Sequence, residues 1–278
     1  MKIAVLSGKG GAGKTFVSVN LSAVAQNAVY VDCDVEEPNG RLYWKPAMEK
    51  ETPVRVLIPE FDVQRCSGCR KCVDFCRFHA LAFVREKPMV FSEVCHSCGG
   101  CVMVCPENSV WEKPRPVGMV EEGARGGVRV VTGVLNPSEV SAVPVIKAAL
   151  RTGGESDLTV IDCPPGSGCP VMESVIGADC CLLVAEPTAF GFHNFKMVHR
   201  LALLLGKPCG VVINKADAPY APLEEYCEKQ GLPILLQIPY SERLAALGAA
   251  GEIASEQDPD LAESFCRLLA AVRKGAVS

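Results

Sequence analysis

The chain has 278 residues, of which 22% are charged, and its formal net charge is −4. This length allows a substantial buried core in one or two domains. The slightly acidic balance indicates a protein that does not bind nucleic acid. No apolar run approaches the roughly 20 residues of a membrane span, so we expect no stable membrane insertion.

Sixteen cysteines are present. The chain is too long for the class of small disulfide-rich domains, and its first residues predict a strand rather than a signal peptide. Half of the cysteines have the spacing of metal ligands. We therefore expect reduced thiols and a cytoplasmic location.

Short apolar, β-rich runs alternate with helical stretches over most of the sequence. The predicted strands cover residues 1–6, 28–33, 128–134, 158–162, 180–185 and 210–214. Predicted helices begin near residue 14 and cover residues 138–150 and 193–205. This alternation predicts an α/β fold with a doubly wound, mainly parallel sheet.

A glycine-rich loop joins the first predicted strand to the first predicted helix. It matches the pattern G-x4-G-K-[ST] and consists of Gly8, Lys9, Gly10, Gly11, Ala12, Gly13, Lys14 and Thr15. In such a P-loop, backbone N–H groups face phosphate oxygens, the lysine neutralises the β- and γ-phosphates, and the hydroxyl binds Mg²⁺. The strand before the loop and the helix after it argue against the alternative of a chance glycine-rich turn. The sequence therefore predicts a P-loop NTPase sheet that binds ATP or ADP with Mg²⁺.

Eight cysteines form two copies of one pattern, C-x2-C-x2-C-x3-C. The runs are Cys66, Cys69, Cys72 and Cys76, and then Cys95, Cys98, Cys101 and Cys105. They resemble bacterial ferredoxins with two [4Fe-4S] clusters, in which the fourth cysteine of each run ligates the other cluster. The resemblance implies one cluster on Cys66, Cys69, Cys72 and Cys105, and a second on Cys95, Cys98, Cys101 and Cys76. A zinc site made of cysteines alone is the main alternative, although zinc needs only four ligands.

The cysteine runs interrupt the alternation of strands and helices. A hairpin is predicted over residues 80–91, and prolines and glycines lie near both edges of the segment. We therefore predict a small α+β, bacterial-ferredoxin-like domain inserted into the α/β chain. The predicted boundaries are 1–60 and 113–278 for the two segments of the ATPase domain, and 61–112 for the insert.

The P-loop carries a second lysine, Lys9. With it the loop resembles the deviant Walker A ATPases of the MinD/ParA/Mrp type, which include the nitrogenase iron protein and are often labelled cobyrinic acid a,c-diamide synthase-like. In that family the extra lysine reaches the nucleotide of a partner subunit. The resemblance implies that Lys9 acts in trans within an ATP-dependent dimer, either a homodimer or a heterodimer with a related ATPase.

Further positions follow the same family. Asp34 resembles the carboxylate that positions the attacking water, and Asp32 and Asp162 resemble carboxylates of the magnesium shell. Gly166 resembles a backbone contact to the γ-phosphate. Asn214 and Pro239 resemble positions that contact the adenine base, but ordinary turn residues are an alternative for both.

Residues 186–194 resemble a family loop near the dimer face that begins with Glu186, and Asn194 replaces its usual acidic residue. Cys163 and Cys169 flank the Asp162 loop and are interpreted as ordinary buried cysteines, with a transient metal or thiol site as the alternative. The C-terminal stripe is interpreted as packing into the core rather than onto a membrane, and it consists of Leu261, Phe265, Leu268, Leu269 and Val272.

Together these features predict a Mg²⁺-dependent ATPase with low intrinsic activity in the absence of its dimer or partner. The function that they favour couples nucleotide-driven changes in the dimer to electron transfer through two [4Fe-4S] clusters. The alternative is an ATPase for assembly or transfer of an iron–sulfur or other metallocluster. Either function requires a protein partner that receives electrons or a metallocluster.

Overall fold

The computed structural model describes residues 1–25 and 27–277. Its strands are β1 (Lys2–Leu6), β2 (Val29–Asp32), β3 (Ala47–Phe61), β4 (Leu81–Val84), β5 (Lys87–Val90), β6 (Val110–Arg125), β7 (Val128–Leu135), β8 (Thr159–Asp162), β9 (Cys180–Ala185), β10 (Cys209–Asn214) and β11 (Ile234–Ile238). Its helices are α1 (Lys14–Ala23), α2 (Gly40–Trp44), α3 (Lys71–Phe75), α4 (Gly100–Met103), α5 (Val143–Gly153), α6 (Cys169–Ile176), α7 (Ala189–Leu204), α8 (Ala221–Gln230), α9 (Glu242–Ala249), α10 (Ala254–Gln257) and α11 (Pro259–Arg273).

Nine strands form one sheet in the order β11-β10-β9-β1-β8-β2-β7-β6-β3. The strands from β11 to β7 are parallel, whereas β6 pairs antiparallel with both β7 and β3. The predicted doubly wound, mainly parallel sheet is confirmed. Its carboxyl edge carries the loops that follow β1, β2 and β8, and ligands of such sheets bind at this edge.

Apolar side chains cover both faces of the sheet. One core layer packs α5, α6, α7 and α8 against the sheet, and the other packs α1 and α11 against the opposite face. The predicted C-terminal stripe belongs to the second layer, where Phe265 and Leu268 are almost fully buried. Among the described residues, no helix combines the length and apolar character that crossing a bilayer requires.

Two long strands at the sheet edge were not predicted. β3 and β6 pair from Ala47↔Ala124 to Phe61↔Val110, and only the Gly118–Arg125 part of β6 also pairs with β7. The remainder of the two strands is a two-stranded arm that extends past the end of β7. Four prolines within β3 and β6 argued against strands at these positions. Proline lacks a backbone N–H group and is tolerated in a sheet only where an edge lacks a partner.

The arm leads into the cysteine-rich segment between Phe61 and Val110. This segment contains α3, the hairpin of β4 and β5, a 3₁₀ turn at Ser92–Val94, and α4. The hairpin lies within the predicted range of residues 80–91. Helix α3 contains Cys72 of the first run, and helix α4 contains Cys101 of the second run.

Candidate functional site

The glycine-rich loop lies between β1 and α1, and its shape depends on glycine. Gly13 has a φ of 95°, and a Cβ atom on it would lie 2.0 Å from the amide nitrogen of Asn214. That amide donates to the carbonyl of Ala12 over 2.9 Å. The predicted base-contacting residue Asn214 therefore closes the back of the P-loop, and its role toward a base stays a prediction.

Lys14 is buried at the bottom of the loop between two carboxylates. Its ammonium donates to Asp162 Oδ1 over 2.8 Å and lies 3.4 Å from Asp34 Oδ2. Burial alone would lower the pKa of Lys14, but the carboxylates of Asp162 and Asp34 outweigh it and raise that pKa above the ordinary lysine value. Lys14 thus stays charged, and the structure brings together three residues that the sequence placed at the site.

Asp32 lies deeper than Asp34. Its oxygens accept the backbone N–H groups of Asp34 and Gly40 over 3.1 and 2.9 Å, and the carboxyl group is fully buried. Burial, and then the charge of Asp162, raise the pKa of Asp32 well above its usual range. Asp32 therefore links β2 to the start of α2 rather than lying open in the cleft.

Tyr30 is also part of the site, although sequence reasoning did not select it. Its phenol is fully buried and donates to Asp162 Oδ2 over 2.9 Å. Burial, and then the neighbouring carboxylates, raise the pKa of this phenol, so it remains a neutral donor. The signal in the sequence is the two-residue strand period, which puts Tyr30 and Asp32 on one face of β2.

Two adjoining cavities open beside the loop. One of about 380 Å³ is bordered by Lys9, Lys14, Thr15, Asp34 and other residues of the P-loop and α2. The other, of about 250 Å³, is lined by Phe16, Tyr43, Asn214, Pro239, Tyr240 and the start of α9. The first is lined by the P-loop and the charged groups of Lys9, Lys14 and Asp34, which suit a phosphate chain. The second offers aromatic and aliphatic surfaces that suit a planar base.

Lys9 is bound within its own chain. Its ammonium forms a salt bridge with Glu186, and it lies 5.4 Å from the ring centroid of Phe190. Lys215 lies 3.7 Å from the other oxygen of Glu186 and donates to the Gly11 carbonyl over 2.9 Å. Burial works against ionisation of Glu186, but its contacts with Lys9 and Lys215 lower its pKa below the ordinary value. Sequence reasoning placed Glu186 in a family loop but missed this contact.

The loop after β8 carries three of the remaining candidates. Gly166, at a φ of 93°, donates its N–H to the Ser7 carbonyl over 3.0 Å. Cys163 is buried as expected, whereas Cys169 is exposed. The interpretation of Cys169 as a buried cysteine is wrong, because it occupies the solvent-facing first position of α6.

The cysteine runs approach each other in two mixed groups. Burial raises the pKa of the Cys72 thiol, and neighbouring Cys66 and Cys105 raise it further. The thiol of Cys95 likewise has Cys98 and Cys76 as charge neighbours, and Cys101 has Cys95 and Cys98, with a pKa raised to about 11 mainly by burial. Cys105 of the second run is thus a charge neighbour of Cys72, and Cys76 of the first run is a charge neighbour of Cys95. Cys69 and Cys98 are the exposed members.

A cavity of about 230 Å³ lies between the thiols of the second group. Its lining includes Cys76, Cys95, Cys98 and Cys101, together with Phe75, Phe78 and Leu81. Among the described residues, no three His, Cys, Asp or Glu side chains converge closely enough to hold a single metal ion. Each cysteine of a cubane binds a different iron, so thiols placed around a cavity and thiols converging on one point are different arrangements.

Comparisons with known proteins agree on the scaffold. The family model of the CobQ/CobB/MinD/ParA nucleotide binding domain matches residues 3–254. The uncharacterised protein MJ0578 of Methanocaldococcus jannaschii is 32% identical over 195 residues, which are 68% of each chain.

Two solved structures have the same fold. MinD from Pyrococcus horikoshii, complexed with Mg-ADP, has a TM-score of 0.60 at 20% identity and covers 99% of this chain and 96% of its own. A variant of McdA from Cyanothece, in complex with ATP, has a TM-score of 0.60 at 16% identity and covers 98% and 95%. At these identities the likeness is one of fold.

Proposed function

Because the chain belongs to the CobQ/CobB/MinD/ParA family of nucleotide-binding domains, we propose that it is a Mg²⁺-dependent ATPase whose active site is the P-loop cleft. The observation that carries this proposal is the buried ammonium of Lys14, held between Asp162 and Asp34 at the bottom of a glycine-rich cavity. Phosphate oxygens that enter this cavity offer Lys14 an alternative to the carboxylates. The fold relatives with Mg-ADP and ATP support the same ligand class.

Hydrolysis at this site is a matter of positioning and charge neutralisation. A water attacks the γ-phosphorus in line, the bond to the β–γ bridging oxygen breaks, and ADP and phosphate leave. Asp34, which is 18% exposed at the cavity, orients the water, while Lys14 neutralises the phosphates. Thr15 would hold Mg²⁺, with Asp32 and Asp162 behind it. The ion would supply positive charge that neutralises the phosphates.

The site is completed by a second subunit. A lysine that acts on the nucleotide of a neighbouring subunit must first release its contacts within its own subunit. In the monomer, Lys9 is held by its salt bridge with Glu186. Isolated monomers should therefore hydrolyse ATP slowly, and activity should rise with dimerisation. The dimer partner is a second copy or a related ATPase.

We further propose that the cysteine-rich insert holds two [4Fe-4S] clusters. The cavity between Cys76, Cys95, Cys98 and Cys101 supports one of them, and the grouping of Cys66, Cys72 and Cys105 supports the other. Thiolates are the ligands that such clusters require, and Phe75 and Phe78 supply apolar walls to the cavity of the second group. When bound, the clusters supply one-electron transfer.

The path from the nucleotide cleft to the insert is short in sequence. Residues of α2 border the phosphate cavity, and β3, the first strand of the arm, begins three residues after α2 ends. A second path runs through the end of β7, since Leu135 donates to the Val35 carbonyl and Asn136 donates to the Val117 carbonyl of the arm. These contacts support a function in which nucleotide-driven movement changes electron delivery to a protein partner.

The test uses anaerobically purified, iron-replete protein. Reduced samples are examined by EPR and redox titration with ADP and then with a non-hydrolysable ATP analogue. A nucleotide-dependent shift in spectra or midpoint potentials supports ATP-gated electron transfer. The matched control is Lys14→Ala, which should bind iron normally and lose the nucleotide response.

Other outcomes separate the parts of the proposal. Protein that binds nucleotide and iron but shows no shift favours the alternative function in assembly or transfer of metalloclusters, which loss of iron to an apo-acceptor would then support. Protein that binds nucleotide and no iron after reconstitution overturns the cluster proposal and leaves the ATPase proposal standing.

A further inference from the structure

We propose that Tyr30 is a positioning residue that fixes Asp162 in the orientation needed behind the magnesium ion. The inference rests on the proposed Mg-nucleotide site. Tyr30 lies in the interior of β2, two residues before Asp32. It is not one of the positions that the P-loop pattern specifies.

The two oxygens of Asp162 have different partners. Oδ1 accepts from Lys14 over 2.8 Å, and Oδ2 accepts from the Tyr30 hydroxyl over 2.9 Å. Once phosphates draw the ammonium of Lys14 away, the first contact weakens and the second remains. Tyr30 therefore keeps one oxygen fixed while the other turns toward the metal shell. Such outer contacts to a metal-bound group set its orientation.

The hydroxyl of Tyr30 has little freedom to move. The ring packs against Trp44 with centroids 5.8 Å apart, and both side chains are almost fully buried. A Cβ atom on Gly40 would lie 2.2 Å from the phenolic oxygen, so the absence of a side chain at Gly40 makes the space for it. Gly40 in turn donates its N–H to Asp32. The hydroxyl is thus held by β2, by Trp44 and by the first residue of α2.

The experiment removes the hydroxyl with Tyr30→Phe. ADP binding is measured by calorimetry without divalent cation, and Mg²⁺ is then titrated into the protein–ADP complex. We expect Mg²⁺ affinity to fall by about 10- to 100-fold, the usual effect of removing such an outer contact, while ADP binding without metal changes by less than about 2-fold. In an Asp162→Asn background, Tyr30→Phe should have little additional effect, because coupled residues are not additive.

A control separates positioning from general loss of stability. Tyr226→Phe removes another phenol hydrogen bond, 2.9 Å long to His199, and should leave Mg²⁺ affinity unchanged. Gly40→Ala is a second variant, since its methyl group displaces the Tyr30 hydroxyl and should weaken Mg²⁺ binding in the same way.

The outcomes can be told apart. Wild-type protein that fails to bind ADP with Mg²⁺ overturns the proposed ATPase site. Wild-type protein that binds both, with Tyr30→Phe and Gly40→Ala matching its Mg²⁺ affinity, overturns the role of Tyr30 and leaves the ATPase site intact. If Tyr30→Phe unfolds, wild-type Mg²⁺ affinity in folded Gly40→Ala still overturns the role of Tyr30, because that methyl group displaces the same hydroxyl.

Discussion

At the scale of single residues, Lys9 is held by an acid of its own chain. Its salt bridge with Glu186 is partly exposed, so we expect it to contribute about 0.2–1 kcal/mol. Glu186→Gln should therefore release Lys9 and strengthen ATP-dependent dimerisation by about 1.4- to 5-fold. Analytical ultracentrifugation with a non-hydrolysable ATP analogue measures this constant.

The control for Glu186→Gln is Glu225→Gln. It breaks an exposed ion pair with Lys229 on α8 and should leave dimerisation unchanged. Lys9→Ala should abolish the rise of ATPase activity with protein concentration. Weaker dimerisation of Glu186→Gln would contradict the prediction and indicate that Glu186 is used within the dimer.

A second residue-scale prediction concerns His199. Burial lowers the pKa of this ring, whose Nδ1 lies 2.9 Å from the Tyr226 hydroxyl. The unfolded chain then binds the proton more readily than the folded chain. The contribution of His199 to the free energy of unfolding is therefore fully present above about pH 6.5, and it is lost as the pH falls through the lowered pKa of the folded state. Urea unfolding of wild type and His199→Gln should show a smaller pH slope for the variant. An unchanged slope in His199→Gln would contradict the assignment.

At the scale of elements, the sequence predicted what is locally encoded. β1, the P-loop and α1 could be predicted because an apolar strand, a glycine-rich turn and a helix follow one another within a few residues. β3 and β6 could not, since charged residues and prolines interrupt their apolar positions and their pairing partners lie far along the chain. The contacts of Tyr30 with Asp162 and of Glu186 with Lys9 could not be predicted for the same reason. These residues are far apart in sequence and meet only when the sheet has formed.

An ion pair adds to the backbone contacts between the arm and the loop after β7. Arg115 on β6 binds Glu139 of the loop after β7 through two contacts, one of them 2.7 Å long, and both side chains are largely buried. Arg115 also lies within electrostatic reach of Cys95. We expect Glu139→Gln to lower the free energy of unfolding by about 1–3 kcal/mol and to reduce any nucleotide effect on the EPR spectra, with ADP affinity unchanged.

A neighbouring pair supplies the control for this prediction. Lys113 and Glu60 form an exposed ion pair on the same arm, 2.6 Å apart, so Glu60→Gln should change neither stability nor spectra. Urea unfolding and EPR of the two variants are compared side by side. A full nucleotide response in Glu139→Gln would show that the coupling does not pass through this contact.

At the scale of the whole molecule, the arm and the nucleotide cleft share one edge of the sheet. Leu135, at the carboxyl end of β7, pairs with Gly118, so the part of β6 before Gly118 projects beyond that edge. The free arm spans about 20 Å, and β6 lies about 10 Å from β2 across the sheet. The insert therefore lies beyond the same edge of the sheet as the nucleotide cleft. On the proposed function, movements of the cleft would reach the insert mechanically, because charges so far apart are largely screened.

This arrangement predicts that the insert can be removed without loss of the nucleotide site. Phe61 and Val110 are the last paired residues of the arm, so an Asn-Gly turn replacing residues 62–109 should close β3 and β6 into a hairpin. We expect this variant to fold, to bind ADP with Mg²⁺ within about 2-fold of the full chain, and to bind no iron. The full chain should bind about eight irons, measured by iron analysis after reconstitution.

The full chain carrying Cys76→Ser and Cys101→Ser is the control, since it keeps the insert and disrupts one cluster. An insert-free variant that folds but no longer binds ADP would show that the insert shapes the nucleotide cleft directly, and that the two sites are not connected through the arm alone.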